Sequence, residues 1–248
     1  MGKNHLYVYG ILEEPSSKTF DVTGVKNNQV YTVNYHELAA VVSSIKEEEL
    51  DPTRKNLLAH TGVQELLLHD YTFLPMSFGV IVGSINKIEK MLEDNYLNLK
   101  QELERLAEKI EVEIKVYWNK EAVKNELANN HKYEKLSKKI AETTSAIEKQ
   151  NLLIETGKLV EEFVLKWQDE IGPDIYSSLK SLAVDACMNN SNEITNILNA
   201  SFLVKKNKEN EFQDKLFTLD VKYQNRIEIK YISPLPPYNF LQVELKGE

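Results

Sequence analysis

Five histidines, a run of three glutamates, one aspartate in an apolar setting and a single cysteine are the groups in this chain that could do chemistry. Zinc sites draw histidine and cysteine at short, regular spacings, and paired helical ligands sit four residues apart on one face. His60 and His69 share an expected helix but lie nine residues apart. At about 3.6 residues per turn that spacing rotates them to opposite faces, so they cannot be paired ligands. His5, His36 and His131 are isolated and read as surface or hydrogen-bonded residues, and His36-Glu37 lacks the second histidine of a metalloprotease helix. Glu47, Glu48 and Glu49 are consecutive, so they fan around a turn as a solvated face and do not converge as an acid/base pair. Asp185 and Cys187 fall in "LAVDACM", which reads as a helical segment with Asp185 on its polar edge and Cys187 as a small buried hydrophobe. Gly79 and Gly83 form G-x-x-x-G inside a strand-like run, where the membrane-helix mechanism of that motif does not apply. No glycine-rich phosphate loop is present. The chain is expected to be no enzyme and to carry neither metal nor cofactor.

The bulk numbers agree with a plain globular protein. A length of 248 residues suits one large or two ordinary domains, with 42% hydrophobic and 27% charged residues. A net charge of -8 argues against nucleic acid as the main partner, since phosphate binding needs clustered cations. No apolar run approaches the roughly 20 residues that cross a bilayer. The opening "MGKNHLYVYGIL" lacks a small-residue cleavage site, and Leu6 stands where a myristoylation motif has Ser or Thr. One cysteine cannot form an internal disulfide, which fits a reducing compartment. A cytoplasmic protein without a membrane role is expected.

The elements that would position any site follow from periodicity. "HLYVYGIL" reads as a buried strand, with further strands after a turn at Asn27-Asn28 and over Leu38–Ser43. Asp51 as a cap and Pro52 at the first position start a helix to about Asp70, expected to bury Leu57, Leu58, Val63, Leu66 and Leu67. "FLPMSFGVIVG" then reads as a strand interrupted by its proline. Ile88, Met91, Leu92, Tyr96, Leu99, Leu103, Leu106 and Ile110 recur at steps of three and four, a stripe along one long helix over 86–110. "EVEIKVYW" alternates strictly and is the clearest half-buried strand. Residues 120–150 read as exposed helix with a thin apolar edge of Val123, Leu127, Leu136, Ile140 and Ile147. Helix continues to Trp167, stops at Gly172-Pro173 and restarts to about Met188. "NASFLVKK" is a short strand, "NEFQDKLFTLDVKY" a helix and "NRIEIKYI" a last strand. The expectation is α+β in two domains: 1–110, with a boundary between 84 and 112, and 111–248, ferredoxin-like with a helical insertion at about 120–190.

The tail "YISPLPPYNF" breaks the last strand with three prolines, which belong at strand ends, edges and bulges. Pro234 and Pro237 match the P-x-x-P spacing of extended-helix ligands, but no arginine neighbours them. The preferred reading is a rigid edge segment folded back on its own sheet, with Tyr238 and Phe240 buried.

Five stretches together, "LYVYGI", "ELAAVVS", "LPMSFGVIV", "EVEIKVYW" and "YISPLPPYNF", resemble the gas vesicle accessory proteins of the GvpF/GvpL family, in the family's order and over nearly the whole chain. Ser77 departs from the arginine that the family commonly has in "LPMRFG". The resemblance implies two α+β domains, the second ferredoxin-like, no catalysis, and a part in assembling the gas vesicle, a protein-walled, gas-filled organelle. It implies as partners the small, very hydrophobic main shell protein and other gas vesicle accessory proteins. On that reading Met76, Phe78, Pro236, Pro237 and Tyr238 are the candidate partner contacts, each with the plainer alternative of core or sheet cover. A ferredoxin-like domain also admits a second reading, a regulatory module that binds a small ligand.

Overall fold

A computed structural model describes residues 5–191, 193 and 195–245. The chain divides into two compact units, residues 1–111 with 233–248, and residues 112–232. Residues 233–248, expected with the second half, group with the first, because the tail finds its hydrogen-bond partners at Gln64, Met76, Glu102 and Glu111.

The first unit runs β1 (His5–Glu13), β2 (Thr19–Thr23), β3 (Gln29–Tyr35), β4 (Leu38–Ile45), α1 (Arg54–Asp70), β5 (Phe73–Pro75), β6 (Ile81–Val82), α2 (Ile85–Asp94) and α3 (Tyr96–Leu106). Its sheet has the order β2-β3-β4-β1-β5, with β6 also on β1, and neighbours are antiparallel. Ala39 and Val41 of β4 join Tyr7, Tyr9 and Leu12 of β1 in one core with Val63, Leu67 and Leu68 of α1. The alternate residues Leu38, Ala40 and Val42 are buried on the opposite face, as the two-residue period of a strand requires. The register of β1 on β4 shifts between Val8 and Gly10. That bulge explains why Leu12, and not Ile11, follows Tyr7 and Tyr9 onto the α1 side.

Three expectations for this unit need correction. The proline-interrupted strand is two short strands flanking a bow at 76–80: the Met76 N–H donates to Tyr9 O at 2.9 Å, the Val8 N–H donates to Val80 O at 2.9 Å, and the residues between leave the ladder. Thr53 is the cap of α1, accepting from the Asn56 N–H. The helix buries Asn56, His60, Val63, Gln64, Leu67 and Leu68, while Leu57, Leu58 and Leu66 lie exposed. Its inward face must meet polar groups of β1 and the bow, so amide and imidazole take places where leucines were expected. The long helix over 86–110 is two helices broken at Asn95, whose side chain donates to Met91 O at 2.8 Å, and Ile110 already belongs to a strand.

The second unit holds most of β7 (Lys109–Trp118), then α4 (Lys120–Ala128), α5 (His131–Glu142), α6 (Ala146–Lys180), β8 (Asp185–Met188), β9 (Asn196–Lys205), α7 (Glu209–Lys222) and most of β10 (Ile227–Leu235). The sheet order is β10-β7-β9-β8, so β10 carries its one proline, Pro234, on an edge. Asn119, Asn130 and Ser145 cap the three successive helices with side-chain oxygens. The apolar edge Val123, Leu127 and Leu136 is buried, Ile140 is half-buried, and Ile147 is exposed. Phe202 of β9 stands 5.3 Å from Phe212 of α7, the centre of this core.

Helix α6 does not stop at Gly172-Pro173 but passes through both to Lys180. A methyl group on Gly172 would lie 3.1 Å from Ile197 O, so this glycine lets helix and strand approach closely. The expected restart to Met188 fails for a different reason: Asp185–Met188 pair antiparallel with Ala200–Leu203. Asp185 and Cys187 thus lie on an edge strand, Asp185 exposed and Cys187 half-buried. Among the described residues no helix is long and apolar enough to cross a membrane.

Candidate functional site

The unusual chemistry of the first unit gathers where α1, the bow at 76–80 and the tail meet. The β1 period places Tyr7 and Tyr9 on the α1 side, and the spacing of His60 and Gln64, four residues apart, puts both on the inward face. The Gly79 N–H donates to the Tyr7 hydroxyl at 3.2 Å, and Tyr7 donates to His60 Nδ1 at 2.8 Å. This network assigns the imidazole proton to Nε2, which faces the Tyr238 hydroxyl at 3.3 Å. Tyr238 in turn meets Gln64 Oε1 and Met76 O, each at 2.8 Å. The Gln64 amide donates to Tyr9 O at 2.8 Å and Met76 O at 3.0 Å, tying strand, bow and helix together. Gly79 sits at φ 92°, the left-handed region where a side chain is strained, so a glycine suits the bow there.

Electrostatically the cluster is neutral. Burial pushes the His60 pKa down to about 4 and pushes the Tyr7 and Tyr238 hydroxyls up. Near pH 7 the imidazole is therefore unprotonated, with its Nδ1 lone pair already engaged by Tyr7. Such an arrangement holds three segments together and offers no poised proton-transfer group.

A second cluster holds the rest of the tail. Asn239 donates to the buried Glu111 carboxylate twice, from its backbone N–H at 3.1 Å and its side-chain amide at 2.5 Å. The Gln242 N–H donates to Glu102 Oε1 at 2.7 Å, and Arg105 donates to Phe240 O while forking onto Glu102 at 2.8 Å on each oxygen. Burial alone would raise the Glu102 pKa; Arg105 and the Gln242 N–H outweigh it and hold the carboxyl below its usual range. Among the described residues no group of three or more His, Cys, Asp or Glu is placed to hold a metal.

The five residues singled out in the sequence come together here. Met76 and Phe78 are half-buried, and the Phe78 ring packs edge-on to Tyr7 and His60. Tyr238 is 39% exposed although its hydroxyl reaches inward. Pro236, Pro237 and Phe240 are buried. The two prolines therefore steer the tail and present no surface, because the tail packs on α1 and the bow and does not lie free along a sheet edge. Ser77 is exposed on the bow. The residues that sequence reasoning missed are His60, Gln64, Glu102, Arg105 and Glu111. For the first two a signal existed, a polar pair four apart in a leucine-rich helix; the buried acids follow no local pattern.

Beside this site, Phe20 of β2 with Leu66, Leu67 and Tyr71 forms a groove of about 240 Å³, edged by Lys18 and Asp70. One wall is the edge strand of the sheet.

Comparison with known proteins places the whole chain. The profile of the family described as "Gas vesicle synthesis protein GvpL/GvpF" matches residues 5–242. Gas vesicle protein F of Nostoc sp. strain PCC 7120 is 27% identical over 241 residues, covering 96% of this chain and 98% of the relative. Gas vesicle protein L1 of Halobacterium salinarum is 24% identical, with 96% and 90% covered. The crystal structure of gas vesicle protein GvpF from Anabaena sp. PCC7120 superposes with a TM-score of 0.77 at 25% identity, covering 99% of both chains.

Proposed function

The chain belongs to the GvpL/GvpF family of gas vesicle synthesis proteins, and on that premise we propose that it is a cytoplasmic, non-enzymatic accessory that grips the small, very hydrophobic shell subunit during vesicle assembly. A subunit with exposed apolar surface self-associates unless something covers that surface until it docks on the wall. The observation that carries the reading, beyond family membership, is the outward trio on α1: Leu57, Leu58 and Leu66 are exposed while Asn56, His60 and Gln64 turn in with Val63, Leu67 and Leu68. Leu58 is 60% exposed, and Leu57 and Leu66 flank it on either side of the helix. Leu66 also lines the groove beside β2, whose free edge suits strand addition. Met76, Phe78 and Tyr238 extend the surface on the Leu57 flank, other gas vesicle accessory proteins being the remaining expected partners.

The second unit supports a ferredoxin-like reading. Its connections run strand, helices, strand, strand, helix, strand in the order β10-β7-β9-β8, with α4, α5 and the start of α6 as the insertion. Co-expression with the shell protein and capture through an affinity tag tests the grip. The unaltered chain is expected to retain the shell protein, and Leu58→Asp with Leu66→Asp to reduce retention about tenfold or more at unchanged melting temperature. Equal retention by the variant moves the surface elsewhere; no retention by the unaltered chain rejects the function.

A further inference from the structure

We infer that the cleft between α1, the 76–80 bow, α3 and Glu111 is a recognition site for a Pro-Pro-Tyr-Asn-Phe segment folded into one tight turn, a 3-10 helix over Tyr238–Phe240, filled by this chain's own residues 236–240 and open to the same segment of a second copy. The receptor groups lie at residues 60–111, whereas the ligand is one contiguous stretch 128 to 178 residues later in its contacts to Glu111 and His60. A contiguous, late segment can be supplied by another chain without any core element changing hands.

The contacts have the character of peptide recognition. Pro236 and Pro237, whose carbonyls accept from the Tyr238 and Phe240 N–H groups, fix φ at the entry to the turn and so lower the ordering entropy. The tyrosine is read by depth, its hydroxyl reaching Gln64, Met76 and His60 at the floor of the cleft. The asparagine is read by its paired donors on one carboxylate. Phe240 is buried, at 4% exposure. Beyond them Arg105 and Glu102 hold the backbone at Phe240 and Gln242, whatever the side chains there. Side chains thus give specificity and main chain gives grip, the division of labour of a peptide-recognition site. Shell binding by α1 neither requires nor excludes it.

The test uses the full chain with only its tail altered. Tyr238→Ala with Asn239→Ala breaks the ligand and leaves His60, Gln64, Glu102, Arg105 and Glu111 in place. A labelled peptide of residues 234–245 is then titrated in and followed by fluorescence anisotropy. Saturable binding is expected, at least about tenfold tighter than to the unaltered chain, whose tethered tail competes at an effective concentration on the order of millimolar. Peptides carrying Tyr238→Phe or Asn239→Ala should each bind about tenfold more weakly. Mixing the tail variant with a Glu111→Ala chain, tail intact and cleft impaired, should yield a one-to-one complex by light scattering that neither forms alone. If the double variant has no cooperative melt, the chain with Asn239→Ala alone serves as receptor. No binding to a folded receptor, or equal binding by the unaltered and substituted peptides, overturns the inference.

Discussion

Replacing His60 by glutamine should flatten the acid limb of the stability curve. His60 is 3% exposed, and the groups facing it are Tyr7 and Tyr9 of β1, Phe78 of the bow and Tyr238 of the tail, none of them a formal charge. Burial holds its pKa at about 4 instead of 6.5. The folded state therefore resists a proton that the unfolded state accepts. Between pH 6.5 and 4 the unfolded chain binds more protons, so stability falls as pH falls through that window and levels off below it. The gap between 6.5 and about 4, at about 1.36 kcal/mol per pH unit, amounts to a loss of about 3 kcal/mol. By pH 4.5 about 2 kcal/mol of it is already gone. Glutamine cannot charge, so the variant, although less stable at pH 7, lacks this component; carboxylates such as Glu102 cancel in the comparison. Urea unfolding of both chains at pH 7 and 4.5 measures it. The signal should be tyrosine near-ultraviolet dichroism, because both tryptophans, Trp118 and Trp167, lie in the second unit. A pH dependence that is the same in both chains to within roughly half a kcal/mol would show that His60 is neither dry nor held neutral.

Three other outcomes are expected. Gly10→Ala should cost about 3 kcal/mol or more, since its methyl group would lie 2.2 Å from the Phe73 ring and 2.4 Å from Leu74 O; a thermal melt showing less than about 1 kcal/mol lost would mean that β5 yields easily. Phe202→Ala, at a site with no exposure between Tyr176 and Phe212, should destabilise the second unit by about 3 to 5 kcal/mol in denaturant unfolding followed by tryptophan fluorescence. Pro173→Ala should raise the melting temperature, because an exposed proline inside α6 removes a helix hydrogen bond worth about 1 to 3 kcal/mol in context; an unchanged or lower value would show that the proline itself is needed for α6 to fit β9.

Much of the architecture could be read from local pattern. The alternation in "EVEIKVYW" and the three-and-four stripe from Ile88 to Leu106 identify β7, α2 and α3, because burial of one face imposes its own period on the residues. The break at Asn95 was not legible, since the stripe keeps its phase across it. "LAVDACM" reads as helix by composition, yet Asp185–Met188 pair with Ala200–Leu203; partner strands distant in sequence outweigh a short segment's own preference. The candidate site was legible only as residue types. Met76, Phe78 and Tyr238 were marked, but what joins them is His60 and Gln64, reached through hydrogen bonds that no spacing announces.

By itself the sequence determined the family, the existence and kind of most elements, and the net acidic charge. Tertiary structure alone decided which face of α1 turns inward and to which unit the tail belongs. Both were settled by the same requirement: Tyr7, Tyr9 O and Met76 O are withdrawn from water and must be matched by donors and acceptors from elsewhere in the chain, so His60 and Gln64 go inside beside Leu67 and Leu68, Leu57, Leu58 and Leu66 stay out, and Tyr238 is drawn across to complete the set.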